Sequence, residues 1–262
     1  MTLPLQSSSP AQQLIQQDDN IVRLRTRFAR HFLHVLETLQ LGGVAPEKSM
    51  SLSEWSAAET FPWLLSHYRR FIYRHHSDAP AQQKALLSFW AQWYLGLLLP
   101  PMLLAVLPQM KMIDCSHHRW RVSVKDSGQP AAFWWDIREV DEGDTLSARA
   151  RIELIIHQHL IPVTAAITKQ GGISERLIWC NTGMLLHWFL TASADIPSMP
   201  CTKTLMEDIF LIRHLSDGHD NPFFHTLRQQ AGALQRRTCC LRYQLPDIAP
   251  CETCPKKYCQ PR

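Results

Sequence analysis

The chain has 262 residues, 45% of them hydrophobic, with nine tryptophans, seventeen prolines and a formal charge of +4. That is enough apolar material for one large core. The chain is too aromatic to be disordered and too long to be a disulfide miniprotein. The charge is uneven: from residue 235 onward six basic side chains face two acidic ones, so this segment carries the whole excess.

The opening MTLPLQSSSPAQQ has neither a basic n-region nor an apolar run of signal-peptide length. The expected setting is therefore the cytoplasm, where thiols stay reduced. Residues 1–18 read as a flexible polar terminus. After Asp19 and Asn20 as caps, Ile21, Leu24, Phe28, Phe32, Val35, Leu36 and Leu39 recur at helical steps toward Gly42 and Gly43. Ser51 and Glu54 form a capping box before Trp55, and a further helix is expected from Phe61 to Tyr73, with Arg69, Arg70 and Arg74 along it.

LLSFWAQWYLGLLLPPMLLAVL, residues 86–107, is the most apolar stretch, but its unbroken part is short and Pro100 and Pro101 divide it. A spanning helix needs about 20 apolar residues. The expectation is two buried helices joined at the prolines and no transmembrane span, with peripheral contact at the inner face of a membrane left open. HRWRVSV (118–124), a KDSGQP turn and AAFWWDI (131–137) alternate as a β-hairpin does. Helical spacing returns over 147–169, kinked or interrupted by Pro162. LIWCNTG (177–183) reads as a short buried strand or turn, with Asn181 or Thr182 capping the helix that follows, and a last helix is expected from Lys203 to His214. The fold class is α+β: a helix-rich body (19–230) with a small antiparallel sheet, then a cysteine-rich segment (231–262).

That segment, RRTCCLRYQLPDIAPCETCPKKYC, holds five of the eight cysteines. Cys239, Cys240, Cys251 and Cys254 form a set of four, the usual complement for zinc or an iron–sulfur cluster. Cys251 and Cys254 curl easily toward one metal. Cys239 and Cys240 are adjacent, so both face one centre only if the backbone bends sharply there. The spacing fits neither a two-knuckle zinc ribbon nor a plant-type ferredoxin. Residue chemistry alone leaves an iron–sulfur cluster, a zinc staple and thiol–disulfide sensing as alternatives. Cys259 is a fifth cysteine, either a competitor of Cys254 or a free thiol.

The pattern CC-x10-C-x2-C resembles the C-terminus of FhuF-type ferric-siderophore reductases. WAQWYLGLLLPPMLLAVL (90–107), LIWCNTGMLLHWFL (177–190), DNPFF (220–224) and RRTCCLRYQLPD (236–247) resemble that family in the same order. The resemblance implies a [2Fe-2S] cluster on Cys239, Cys240, Cys251 and Cys254. It also implies one-electron reduction of siderophore-bound Fe3+, with hydroxamate siderophores favoured and Fe2+ released in the cytoplasm. Hard oxygen donors hold Fe2+ far more weakly than Fe3+, so one electron frees the metal.

No G-x-G-x-x-G or G-x4-G-K-[ST] element is present, so the electron is expected from a separate donor protein or reductant. The basic C-terminal charge suits a cluster and an acidic donor. With no recognition element beside it, the charge does not point to nucleic acid. His157 with His159, His75 with His76 and His117 with His118 lack ligand spacing. Glu207 with Asp208, Glu142 with Asp144, and Asp114 suggest no acid/base pair. Cys115, Cys180 and Cys201 are expected to be buried thiols.

Overall fold

A computed structural model describes residues 10–108, 111–140, 146–230, 233–251 and 254–256. Residues 1–9, Glu142, Asp144 and Cys259 lie outside that set. The first helix, α1 (Pro10–His31), begins at Pro10 rather than at the expected Asp19–Asn20 caps. The apolar period from Ile21 to Leu39 is then divided: the chain turns, forms α2 (Val35–Thr38) and enters β1 (Leu39–Leu41). In β1 Leu39 and Leu41 are buried and Gln40 is exposed, the two-residue period of a strand.

The capping box forms as expected at the start of α3 (Leu52–Trp55): Ser51 N donates to Glu54 Oε2 at 2.6 Å and Glu54 N to Ser51 Oγ at 3.4 Å. Trp55 is fully buried between Phe61 of α4 (Thr60–Ile72) and Trp90, with ring centroids 5.2 Å away in each case.

The two prolines do not separate two helices. Pro100 and Pro101 lie inside one continuous helix, α5 (Gln83–Val106). A proline loses its donor and its ring presses on the carbonyl one turn back, which for Pro100 is that of Gly96, a residue with open space around it. Every side chain from Leu98 to Val106 is buried, and α5 is held by α1, α4 and the strand at Pro130–Trp135. Tertiary packing of this extent outweighs the local cost. The helix is long and apolar enough to cross a membrane, yet 78% of its most apolar window is buried inside the protein.

The expected hairpin is β2 (Trp120–Val124) and β3 (Pro130–Trp135), with Trp120 opposite Trp135 and Val122 opposite Phe133. Its turn needs Gly128: φ is +76° and an added Cβ would lie 2.2 Å from the Leu64 carbonyl oxygen. β1 joins β3 in parallel, so the sheet is mixed, in the order β1-β3-β2. One face packs on α5, where Tyr94 meets Phe133 edge-on at 5.0 Å.

Pro162 interrupts the next helix as expected. Between α6 (Ala148–Ile155) and α7 (Ile161–Thr168), residues Ile156–Leu160 form a π-helical turn. The turn puts His159 in the core, where Nδ1–H donates to the Cys115 carbonyl at 2.8 Å. Burial lowers its pKa to about 4 and keeps the ring neutral.

LIWCNTG is neither strand nor turn. It is the first half of α8 (Glu175–Ala192), and the residue before that helix is Ser174, not Asn181 or Thr182. A short apolar run reads equally as strand or buried helix. Asn181 and Thr182 are tolerated mid-helix because their polar atoms find partners: Thr182 Oγ1 donates to Ile178 O at 2.9 Å, and Asn181 Nδ2 donates to Ser88 Oγ on α5 at 3.1 Å.

The last helix, α9 (Thr202–Phe210), stops short of His214. In the DNPFF element Asn221 closes the chain, donating to the carbonyls of Ile209 at 2.7 Å and Ile212 at 2.9 Å and accepting from Phe223 N at 2.9 Å. A second hairpin, β4 (Leu227–Gln230) with β5 (Ala233–Arg236), lies against α8 and was not expected from the sequence. It straddles the boundary read at residue 231.

Candidate iron–sulfur centre

The cysteine segment follows β5 without a linker, so the hairpin that docks on α8 also sets the position of Cys239 and Cys240. That docking depends on Gly183. A Cβ there would meet Thr226 Oγ1 at 2.7 Å, and Thr226 is buried at the foot of β4. The bend required by two adjacent cysteines occurs one residue later, at Leu241, whose φ of +64° is left-handed. A non-glycine residue there costs about 1–2 kcal/mol, and the strain sits beside the thiols. The chain next makes a short 3-10 turn at Arg242–Gln244 and returns through Pro250 to Cys251. Cys254 N donates to the Cys251 carbonyl at 3.2 Å and closes the Cys-x-x-Cys turn.

Cys240 and Cys254 are buried, and Cys239 and Cys251 are partly exposed. The Sγ atoms of Cys240 and Cys251 lie 3.8 Å apart. Two thiolates sharing one tetrahedral metal at bonds of ~2.3 Å stand about this far apart. The thiols of Cys239 and Cys251 both bond toward Cys240, which lowers the Cys240 pKa and raises theirs; the Arg236 guanidinium also favours the Cys240 thiolate. Cys254 bears electrostatically on both Cys239 and Cys251, so all four sulfurs belong to one neighbourhood. Among the described residues no three His, Cys, Asp or Glu side chains are placed to hold a single ion. Four soft donors close together, with the Arg236 guanidinium beside Cys251 and Cys240, fit an iron–sulfur cluster in donor chemistry and in charge.

Three residues that sequence reading did not assign to the site hold this segment to the body. Ser88 Oγ donates to the Cys240 carbonyl at 2.8 Å. Asn181 Oδ1 accepts from Arg236 Nη1 at 3.0 Å, and Arg236 Nη2 donates to Cys251 Sγ at 2.7 Å. The available signal was an asparagine inside an apolar helical run, which implies a buried polar partner. Beside this network a cleft of about 640 Å³ opens between α5, α8 and the cysteine segment, with Cys251 in its lining. Its walls include Leu95, Ile178, Leu185 and Trp188, the last 49% exposed.

The other cysteines stand apart. Cys115 and Cys180 are fully buried, as expected. Cys201, expected to be buried, is exposed, because it precedes α9 at the surface. His157 pairs with Asp217 at 3.1 Å, away from the cysteines.

Comparison with known proteins identifies the family. Residues 88–235 match the family described as ferric iron reductase FhuF-like transporter, and residues 236–256 match the FhuF 2Fe-2S C-terminal domain. The chain is 38% identical over 234 residues, 89% of each chain, to a ferric siderophore reductase of Escherichia coli (strain K12). The second match begins at Arg236 and includes all four cysteines, which identifies the cofactor as a [2Fe-2S] cluster rather than zinc. The chain therefore belongs to the FhuF-like ferric iron reductase family, as an iron-reducing oxidoreductase with a C-terminal [2Fe-2S] domain.

Proposed function

We propose that the protein reduces Fe3+ in an intact siderophore seated in the cleft beside Cys251, and that Fe2+ is released in the cytoplasm. The ligand set we propose is Cys239, Cys240, Cys251 and Cys254. The observation that carries the reading is the shared wall: Cys251 lines the cleft and also belongs to the four-thiol group. When bound there, a [2Fe-2S] cluster supplies one electron at a time, the number that the change from Fe3+ to Fe2+ requires. The volume lies within the ~300–1,000 Å³ of small-molecule pockets.

The walls favour one class of chelate. Leu95, Ile178, Leu185 and Trp188 are apolar, and Gln92 is tied back by its Nε2, which donates to Ser88 O at 3.0 Å. Of the two arginines in the lining, Arg236 is committed to Asn181 and Cys251, which leaves Arg242 facing a ligand. A ferric trihydroxamate is neutral, whereas a ferric tricatecholate carries three negative charges, and one guanidinium among apolar walls suits the former. The electron donor is a separate protein or reductant. Basic side chains at Arg237 and Lys256 favour an acidic partner.

Filling the cleft tests the reading. Leu185→Trp should leave iron content and dithionite reduction unchanged. Reoxidation by a ferric trihydroxamate should slow at least tenfold, while that by a small inorganic oxidant such as ferricyanide should not. Equal rates of siderophore-driven reoxidation in the variant and the parent would place the substrate elsewhere.

A further inference from the structure

We infer that Arg236 is a positioning residue that biases electron uptake toward the side of the centre that Cys251, the ligand facing the cleft, would hold, and raises the potential of the centre. Arg236 is 5% exposed. A buried guanidinium requires an anionic partner. Among the described residues its hydrogen bonds go to Asn181 Oδ1 and to Cys251 Sγ, and its Nε has no partner. An amide oxygen cannot neutralise a charge, so the sulfur centre is the counter-ion of Arg236 within this set.

The arrangement is fixed from behind. Asn181 uses its amide nitrogen on Ser88 Oγ, which leaves its oxygen turned to the guanidinium. Ser88 in turn holds the Cys240 carbonyl. One hydroxyl on α5 and one amide on α8 thereby aim a charged donor at a single cysteine. Among the described residues the neighbouring thiols take uncharged donors: Cys239 Sγ accepts from the Leu241 backbone N–H at a longer 3.4 Å, and Cys240 from the Arg242 backbone.

Hydrogen bonds to ligand sulfurs and nearby positive charge stabilise the reduced form of an iron–sulfur centre. Placed on one ligand alone, they favour the extra negative charge on that side. The fork matters as well as the charge. Lysine at 236 supplies a cation but cannot reach Asn181 and Cys251 in the same plane.

The inference rests on Cys251 being a cluster ligand, and the two claims fail differently. Cys251→Ser with an unchanged visible spectrum would overturn the ligand set; the Arg236 claim is tested with that ligand intact. The measurement is a redox titration of the holoprotein followed by electron paramagnetic resonance, with iron and sulfide counted in each variant. Arg236→Gln should lower the equilibrium constant for one-electron reduction at least tenfold, about 59 mV, with the signal shape altered. Arg236→Lys should fall between variant and parent. Asn181→Leu should shift the potential in the same direction by less. If Arg236→Gln does not retain its cluster, Asn181→Leu carries the test. A potential equal to that of the parent in whichever of these is fully loaded would overturn the inference.

Discussion

Around Trp55, Phe61, Trp90 and Tyr94, aromatic rings meet at centroid distances of 4.8–5.6 Å and fill the body with no help from charge. On α5, which carries Trp90 and Tyr94, Ser88 belongs to a different kind of contact, in which the cysteine segment is held to the body by Ser88, Asn181 and Arg236. The core is non-directional and tolerates small losses of volume at a graded cost. The cysteine segment depends on individual polar atoms, so removing one leaves another unpaired in a buried place. The fold therefore supplies rigidity from α5 and α8, while the site depends on a few directed bonds.

The contrast can be broken first at the sulfurs. Cys240→Ser should abolish or strongly shift the visible absorption and lower the iron and sulfide content, while tryptophan fluorescence of the body stays native. Cys259→Ser should leave both unchanged. The reverse separation comes from Trp90→Ala, which should destabilise the body by about 3–5 kcal/mol in urea titrations. Its loss also removes the donor to the Gly128 carbonyl at 2.9 Å.

A smaller effect concerns His159, whose pKa falls from 6.5 to about 4 on burial. The unfolded chain takes up the proton first as pH falls, so the contribution of the neutral ring is complete above about 6.5 and is lost on acidification toward 4. Across that window His159 should account for a loss of about 3 kcal/mol. In His159→Phe, urea midpoints between pH 6.5 and 4 should fall less steeply. Least of all should change in Lys256→Ala. Lys256 bonds Tyr243 and lies over its ring at 4.6 Å, but at an exposed position. Its urea midpoint should match that of the parent, because exposed polar contacts contribute little.

The same contrast explains what could be read from sequence. The capping box, the β2–β3 hairpin and the break at Pro162 are written in local residue types and appear in the structure. The four cysteines stand out in the sequence because soft donors at close spacing have few other uses, and the ligand set proposed on them rests on that signal. Pro100 and Pro101 misled, because a local rule for ending helices yielded to burial from neighbouring elements. Asn181 resembles a helix cap in the sequence because its partners, Ser88 and Arg236, lie 93 and 55 residues away. β1 is three residues long and pairs in parallel with a strand far along the chain. The cleft, formed by three separate segments, has no sequence signature.

We propose that an electron passes from the thiolate-bound centre to siderophore iron docked beside Cys251. Anaerobic stopped-flow mixing of the reduced protein with a ferric trihydroxamate, with a ferrous chelator present, tests it directly. The oxidised visible spectrum should return while one Fe2+ appears in the chelator for each centre reoxidised. A spectrum that stays reduced, with no Fe2+ trapped, would contradict it.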